Sequence, residues 1–407
     1  MKKEITLSSD QSQALERILK WWKIVQHKKD FYESPDQVLT LGGYAGTGKS
    51  TILSFLREEL GKDISVGFVS LTGKAVSVMN TKLWDTGAAM GNDVISTLHS
   101  YMYTPITDSR GRIIDWVKKN MDRKGGSTRF SERVHSAPYV DLFINDEASM
   151  TSKELYDDLL SYGKPVLAIG DHGQLPPVQG YFNLMKDPTI RLEKIHRQAE
   201  DSPILHLATL AREGNFIPYS EFSSQVKKFT TEEAMEDERI NQILSSPSPD
   251  NIILTATNRA RVSFNKTTRQ QLHLTSDKPE KRDKVICLRN NHKEGVYNGM
   301  LGEILSIKRD TEHPEQNYFA TIKEYGGEIL HLPITKHTFN QLKKEEIRKD
   351  WKKLGTQWDY GYCITCHKAQ GSEFQTVIVY GEAWPEIRNR WLYTAITRAQ
   401  EELYLIN

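Results

Sequence analysis

The first legible stretch of the chain carries apolar residues at helical spacing. Ala14, Leu15, Ile18, Leu19, Trp22 and Val25 follow Ser8-Ser9-Asp10-Gln11, whose Ser-x-x-Gln spacing is that of a capping box. One amphipathic helix is predicted, ending before His27-Lys28-Lys29-Asp30. Beyond it, short apolar runs alternate with helical stretches. Gln37–Leu41 and Ile64–Ser70 read as strands, and Ser50–Leu60 and Ala75–Met79 as helical. Val140–Asn145 and Val166–Ile169 are further short apolar runs. Each ends in a glycine or polar cluster, the pattern of βαβ units on a parallel sheet. The pattern returns with Ile252–Thr255, which runs into Thr257-Asn258-Arg259, and with Tyr362–Thr365, Thr376–Tyr380 and Leu403–Ile406. The chain reads as an α/β protein of two such domains.

Two segments break the alternation. Tyr103–Ala137 is polar, basic and Gly-rich, with a turn expected at Lys124-Gly125-Gly126-Ser127, and reads as a hairpin insertion in the first domain. From about Asp283 to Lys353, the runs Lys284–Leu288, Gly302–Lys308, Tyr318–Lys323 and Glu328–Leu332 read as short antiparallel strands. Turns are expected at Asn298-Gly299 and Gly326-Gly327. A small β-barrel inserted in the second domain is expected.

Composition narrows the class. The 407 residues are 38% apolar and 26% charged, which excludes a disordered chain. No run of about 18 apolar residues occurs, so no membrane span and no membrane partner are expected. Met1–Thr6 has basic residues without an apolar stretch behind them, so no signal peptide is expected. Three cysteines cannot frame a disulfide scaffold, and a reducing, cytoplasmic setting is expected. Net charge is +1, so any polyanion footprint must be local. Between Arg110 and Ser136 there are eight Lys or Arg against three Asp or Glu; between Gln341 and Lys353 there are six against three.

The candidate chemistry begins at Gly43-Tyr44-Ala45-Gly46-Thr47-Gly48-Lys49-Ser50, which fits G-x-x-x-x-G-K-[ST] between a strand and a helix. Its glycines let backbone N–H groups curl around phosphate oxygens at the positive end of the helix. Lys49 would reach the β and γ phosphates of ATP, and the Ser50 hydroxyl would bind Mg²⁺. Asp146-Glu147 closes an apolar strand, the place where α/β ligands bind. Asp146 would hold Mg²⁺ through water, and Glu147 would orient and deprotonate the attacking water. The competing reading of the pair is an acidic helix start. Gly170-Asp171-His172-Gly173-Gln174 also ends a strand. Gln174 is a candidate contact to the γ phosphate or the water, against a plain polar turn before Pro176-Pro177.

At this point the order of segments resembles superfamily-one helicases, in particular the RecD-like and Dda-like group. The residues that carry the resemblance are Leu7–Gln11, the phosphate loop, Thr72-Gly73-Lys74-Ala75, Ser96-Thr97-Leu98-His99, Asp146-Glu147-Ala148-Ser149 and Gly170–Val178. In the second half they are His196-Arg197-Gln198, Thr365–Phe374 and Tyr393–Ala399. Leu71 stands where members of that group often have proline. The resemblance implies two RecA-like domains with ATP between them and 5′ to 3′ movement on single-stranded DNA. The first domain would span 1–102 and 138–190, with the family's strand-separating pin at 103–137. The second would span 191–282 and 356–407, with an SH3-like insertion at 283–355.

Residue roles follow from the same matches. Nucleotide contacts are implied for Gln11, Gly43, Gly46, Thr47, Gly48, Lys49, Ser50, Thr51, Asp146 and Gly371. Gln11 resembles the adenine-reading glutamine, a role compatible with its capping of Ser8. Arg197 and Arg398 resemble the arginines that stabilise charge on the γ phosphate, where a surface or interdomain ion pair is the competing reading. Thr72, Thr97, His99, Thr257, Asn258, Thr365, His367 and Lys368 lie on segments resembling DNA-facing motifs. For these the competing reading is helix capping or core hydrogen bonding. Tyr101, Tyr103, Trp116 and Phe130 are nearby aromatics of the kind that stack on single strands. Cys363-x-x-Cys366 lacks a second ligand pair, and a structural role is expected for it.

The expected activity is an ATP-dependent DNA helicase working on single strands and forked or tailed duplex. The alternatives are a translocase or motor subunit with little unwinding alone, a binding protein with a dead ATPase site, and an RNA substrate. Retention of Lys49, Asp146, Glu147, Arg197 and Arg398 argues against the dead site. A single-strand-binding protein or a replisome or recombination component is the partner class implied, with a monomer expected. The compact length suggests a phage-like stand-alone enzyme of replication, recombination or repair.

Overall fold

The computed structural model describes residues 6–28, 31, 34–107, 113–122, 136–177, 182–195, 201–291, 294–342, 354–381 and 383–407. The chain divides into two compact units, Met1–Asp201 and Ser202–Asn407. That division lies beyond the 190/191 boundary expected from the sequence, because Ile190–Leu192 pairs with the first strand of the first unit and belongs to its sheet.

The strands of the first unit are β1 (Val38–Gly43), β2 (Val66–Ser70), β3 (Val94–Thr97), β4 (Tyr103–Thr107), β5 (Ile113–Lys118), β6 (Asn120–Met121), β7 (Ser136–Ala137), β8 (Leu142–Asp146), β9 (Val166–Gly170) and β10 (Ile190–Leu192). Its described helices are α1 (Ser9–Val25), α2 (Lys49–Leu60), α3 (Gly73–Thr86), α4 (Leu98–Met102) and α5 (Lys153–Leu160). Six strands form a parallel sheet in the order β10-β1-β9-β8-β2-β3. Successive strand residues serve opposite faces, so both faces are apolar and covered. Phe68 and Ile144 pack with Ile18, Ile52 and Leu56 of the helices on one side. Val69 and Phe143 pack with Tyr101, Met102 and Leu159 on the other. Helix α1 starts at the capping box read from the sequence: Ser8 Oγ accepts from Gln11 N, and Gln11 Oε1 accepts from Ser8 N at 3.0 Å. Strands β4 and β5 pair as an antiparallel hairpin whose base is fixed to α5, where Lys118 Nζ donates to Asp158 Oδ1 at 2.6 Å. The expected turn at 124–127 lies outside the described residues.

The second unit holds β11 (Ser220–Ser223), β12 (Val226–Phe229), β13 (Asn251–Thr255), β14 (Lys284–Cys287), β15 (Leu301–Arg309), β16 (Asn317–Glu324), β17 (Ile329–Thr335), β18 (Trp358–Tyr360), β19 (Cys363–Thr365), β20 (Phe374–Tyr380) and β21 (Ala399–Ile406). Its described helices are α6 (Pro203–Glu213), α7 (Thr231–Glu236), α8 (Glu238–Ser245), α9 (Asn258–Gln271), α10 (Cys366–Ala369) and α11 (Arg388–Ile396). One sheet runs β11-β12-β21-β20-β13-β19, parallel except for the β11–β12 hairpin.

The other sheet is antiparallel, in the order β17-β16-β15-β14-β18. Its two edges are joined: Thr335 N donates to Thr356 O at 2.9 Å, and Thr356 N donates to Pro333 O at 2.7 Å. Gly355 permits this closure, since a Cβ there would sit 2.4 Å from Pro333 O. Val285, Ile304, Ile322, Leu332, Ile334 and Trp358 fill the interior. This sheet extends past residue 355, the end expected from the sequence, because Trp358–Tyr360 pairs with β14.

Candidate nucleotide and nucleic-acid sites

The outgoing connections of β1 and β9 run to opposite sides of the first sheet, which makes their carboxyl ends a ligand-binding switch point. The Gly-rich loop leaves β1 here and enters α2. Gly46 and Gly48 have φ of 77° and 78°, a left-handed backbone that disfavours side chains. At Gly43 a Cβ would lie 2.7 Å from Thr47 Oγ1. The loop is further tied by Thr47 Oγ1 donating to Tyr44 O at 2.8 Å. Lys49 Nζ lies over the loop, donating to Gly43 O at 2.7 Å and Tyr44 O at 3.0 Å. Gln11, 3% exposed, uses its other amide atom here: Nε2 donates to Thr47 O at 3.1 Å. Its capping bond and its bond to the phosphate loop therefore coexist.

Asp146 ends β8 two strands away, opposite Ser70 of β2. Glu147 follows with φ 53° and ψ 38°, a left-handed conformation that costs a non-glycine residue about 1 kcal/mol or more. Backbone strain of this kind concentrates at functional sites. Burial pushes the Asp146 carboxyl above the usual carboxylate range, opposed by the Glu147 N–H and by the Lys49 and Lys82 ammoniums. Lys82, from α3, donates to Ser50 Oγ at 3.2 Å. The Ser50 hydroxyl and Asp146 carboxylate are hard oxygen donors of the type Mg²⁺ takes.

Gln174 is 5% exposed and donates from Nε2 to Asp171 Oδ2 at 3.4 Å. Among the described residues, buried polar atoms without a partner concentrate along this sheet edge: Ser70 Oγ, Asn145 Oδ1, Ser149 Oγ, Gln174 Oε1 and both ring nitrogens of His172. Such orphans are rare in proteins and need a reason. The His172 ring lies 4.1 Å from that of Tyr44 in the phosphate loop, and burial pushes its pKa down. Roles for Tyr44, His172 and Lys82 escaped the sequence reading. Tyr44 and His172 lie inside motifs read from the sequence, but their contact, like that of Lys82 with Ser50, joins distant segments that no local pattern connects.

The candidate nucleic-acid residues occupy a repeated geometry. In the first unit Ser70 pairs with Thr97 at the carboxyl ends of β2 and β3. In the second, Thr255 pairs with Thr365 at the ends of β13 and β19. Thr72 and Thr257, each two residues past its strand, are N-caps. Thr72 Oγ1 accepts from Ala75 N at 3.2 Å, and Thr257 Oγ1 from Ala260 N at 3.1 Å. Thr97 Oγ1 likewise accepts from Ser100 N at 3.1 Å. Capping is thus present at three of these positions, and it leaves each hydroxyl at a helix N-terminus, where anions are favoured. Thr365 precedes α10 without a side-chain capping bond. His99 and His367 each follow two residues after the paired threonine, and burial pushes the His367 pKa down. The β1–β9 edge and the β2–β3 edge thus place the candidate nucleotide and nucleic-acid residues of the first unit on one sheet.

Arg398 is 3% exposed. Its guanidinium donates to Thr394 O and Ser372 O, each at 3.1 Å, and to Thr397 Oγ1 at 3.3 Å. Gly371 has φ 72°. Arg197 lies outside the described residues, as do His196 and Gln198. Cys363 and Cys366 are buried against separate partners, Thr255 Oγ1 and Trp391 O, each at 3.7 Å. Burial pushes both thiols up to about 12, so they stay protonated, and no group of three or more metal-binding side chains occurs among the described residues.

Fold and site together define a P-loop nucleotide-binding protein with two sheets of the same strand arrangement. An AAA domain family matches residues 22–229, and the chain belongs to it; a UvrD-like helicase C-terminal domain matches residues 360–406. The chain is 25% identical over 397 residues to the ATP-dependent RecD2 DNA helicase of Deinococcus radiodurans, covering 90% of this chain and 46% of that protein. It is 24% identical to an uncharacterised protein of Methanocaldococcus jannaschii, covering 36% of it. The chain thus spans less than half the length of these two curated relatives. It is 23% identical to the ATP-dependent DNA helicase dda of Enterobacteria phage T4, covering 90% of this chain and 94% of that protein. A crystal structure of Pif1 helicase from Bacteroides in complex with ADP-AlF3 and ssDNA superposes with TM-score 0.52 and 18% identity, over 99% of this chain and 92% of that one. These matches bear out the resemblance to superfamily-one helicases of the RecD-like and Dda-like group.

Proposed function

We propose that the chain is an ATP-dependent DNA helicase that moves 5′ to 3′ on single-stranded DNA and separates duplex ahead of it. The observation that carries this reading is the single sheet edge where the phosphate loop and Asp146-Glu147 stand beside the capped threonines of β2 and β3. Hydrolysis chemistry and strand contacts there share one rigid sheet. The RecD2 and dda relatives, helicases by name, support the activity.

In this reading Ser50 and Asp146 hold Mg²⁺, which when bound neutralises phosphate charge. Lys49 binds the phosphates, Gln11 contacts the base, and the loop N–H groups of Gly43–Thr51 cradle oxygens. Glu147, pre-set by its backbone strain, accepts the proton of the attacking water while Gln174 orients that water. Arg197 and Arg398 supply the cationic charge that stabilises the transition state, with Gly371 lining the nucleotide. Thr72, Thr97, His99, Thr257, Asn258, Thr365, His367 and Lys368 grip the phosphodiester backbone, which gives affinity without sequence preference. The hairpin segment 103–137 acts as the pin and 283–355 as an SH3-like accessory domain. The protein works as a monomer in the cytoplasm, with a single-strand-binding or replisome partner.

The test is strand displacement on duplexes carrying either a 5′ or a 3′ single-stranded tail, with ATP and Mg²⁺. Unwinding from the 5′ tail alone is expected. Unwinding from the 3′ tail overturns the polarity. DNA-stimulated ATPase without unwinding overturns the helicase reading in favour of a translocase.

A further inference from the structure

The inserted sheet reaches into the segment of the second unit that carries Asn258. Arg261 stands one turn into α9, and its guanidinium serves three groups at once. Nε donates to Asn258 Oδ1 at 3.1 Å, Nη2 donates to Gln341 O at 2.5 Å, and Nη1 pairs with Asp359 Oδ2. Asp359 belongs to β18 of the inserted sheet and is 2% exposed. Its Oδ1 accepts from Asn340 N and Tyr360 N, both at 2.8 Å. The carboxylate is therefore fixed by the barrel backbone, and the arginine is fixed by the carboxylate.

The consequence falls on Asn258. A guanidinium only donates, so the amide atom facing it must be the carbonyl oxygen. Arg261 thus removes the two-fold ambiguity of the amide: oxygen inward, NH₂ outward. Asn258 is exposed, and its oxygen is the amide atom that Arg261 engages. A fixed pair of N–H donors at a helix start suits phosphate oxygens, which only accept. A second link runs in parallel: Lys368 Nζ donates to Asn298 Oδ1, at the β14–β15 turn of the same inserted sheet.

We infer that Asp359 and Arg261 are positioning residues that orient the Asn258 amide as a donor toward the phosphodiester backbone, so that the inserted sheet sets the grip of the second unit on a single strand. This rests on the proposed role of Asn258 in nucleic-acid binding.

The experiment measures binding of fluorescent oligo-dT by anisotropy for the full chain and for Asn258→Ala, Arg261→Lys and the double variant. Lysine keeps a charge beside Asp359, avoiding an unpaired buried carboxylate, but lacks the fork that reaches Asn258 as well. Equal melting temperatures establish folding. Each single variant is expected to bind about three- to tenfold more weakly, the worth of one hydrogen bond, and the double variant no more weakly than Asn258→Ala. Wild-type affinity in Arg261→Lys, or a loss that adds to that of Asn258→Ala, overturns the inference alone. Wild-type affinity in Asn258→Ala overturns the assignment of Asn258 to the strand and the inference with it. If Arg261→Lys melts earlier, Asp359→Asn with Arg261→Gln replaces it, and the same two comparisons decide.

Discussion

Five of the six strands in each of the two main sheets correspond, yet the carboxyl edges of the two sheets carry different residues. β3, β2, β8, β9 and β1 of the first unit stand in the same order as β19, β13, β20, β21 and β12 of the second. Ser70 faces Thr97 and Asp146 in one; Thr255 faces Thr365 and Tyr380 in the other. Where β1 runs into the glycine loop, β12 runs into Thr230, which caps α7. Where β8 ends in Asp146-Glu147, β20 ends in Tyr380-Gly381. The hydroxyl-and-histidine pair stands on both edges, and the glycine loop and the Asp146-Glu147 pair stand on one.

The largest expected effect breaks that asymmetry directly. Lys49→Ala should abolish ATP hydrolysis, and Glu147→Gln should lower kcat about 10²- to 10⁴-fold, as removal of a positioned base does. The positional equivalents in the second unit, Thr230→Ala and Tyr380→Phe, should leave kcat within about twofold, Thr230→Ala costing about 1 kcal/mol of stability through its lost cap. Steady-state phosphate release measures both, and a large loss of kcat in Tyr380→Phe would end the comparison. A smaller effect tests the symmetric half. Thr72→Ala and Thr257→Ala should each lose about 1 kcal/mol of stability and weaken oligo-dT binding by similar factors. Chemical denaturation and anisotropy would show whether one grip dominates. The smallest effect is in pH. His172 and His367 have pKa values pushed below the ordinary 6.5 by burial. The unfolded chain then binds more protons near that pH, so stability is full above about 6.5 and is lost as pH falls through the lower folded values. Melting curves between pH 7.5 and 5 should show the fall, and His172→Asn or His367→Asn should each reduce it.

What the sequence made legible follows the same division. The phosphate loop and Asp146-Glu147 are contiguous in sequence, and Gly46 and Gly48 supply the positive φ that the loop adopts. The paired runs of both parallel sheets are also local, apolar and bounded. β3 escaped because Val94–Thr97 is short and only half buried, leaving little periodicity to read. β18 escaped because Trp358-Asp359-Tyr360 places a charge at its centre, and that charge is satisfied by Arg261, 98 residues earlier. Lys82 and His172 gain meaning only from residues on other strands. The Thr72 and Thr257 N-caps were foreseen as one of two readings, and capping turns out to be compatible with the other.

The inserted sheet also has its two connections side by side. Asp283, where the chain departs, and Tyr362, where it returns, share a hydrogen bond of 2.9 Å, and Gly361 N donates to Lys284 O at 2.8 Å. Arg269 clasps the same spot, donating to Asp283 Oδ1 at 2.8 Å. A module whose ends nearly touch can be gained, exchanged or trimmed over evolutionary time without re-threading its host, and what an exchange must replace here is the contacts of Arg261 with Asp359 and of Lys368 with Asn298. For protein engineering, the junction between Asp283 and Gly361 is a ready-made socket: a different small domain with adjacent termini could be seated there while β13 and β19 keep their pairing.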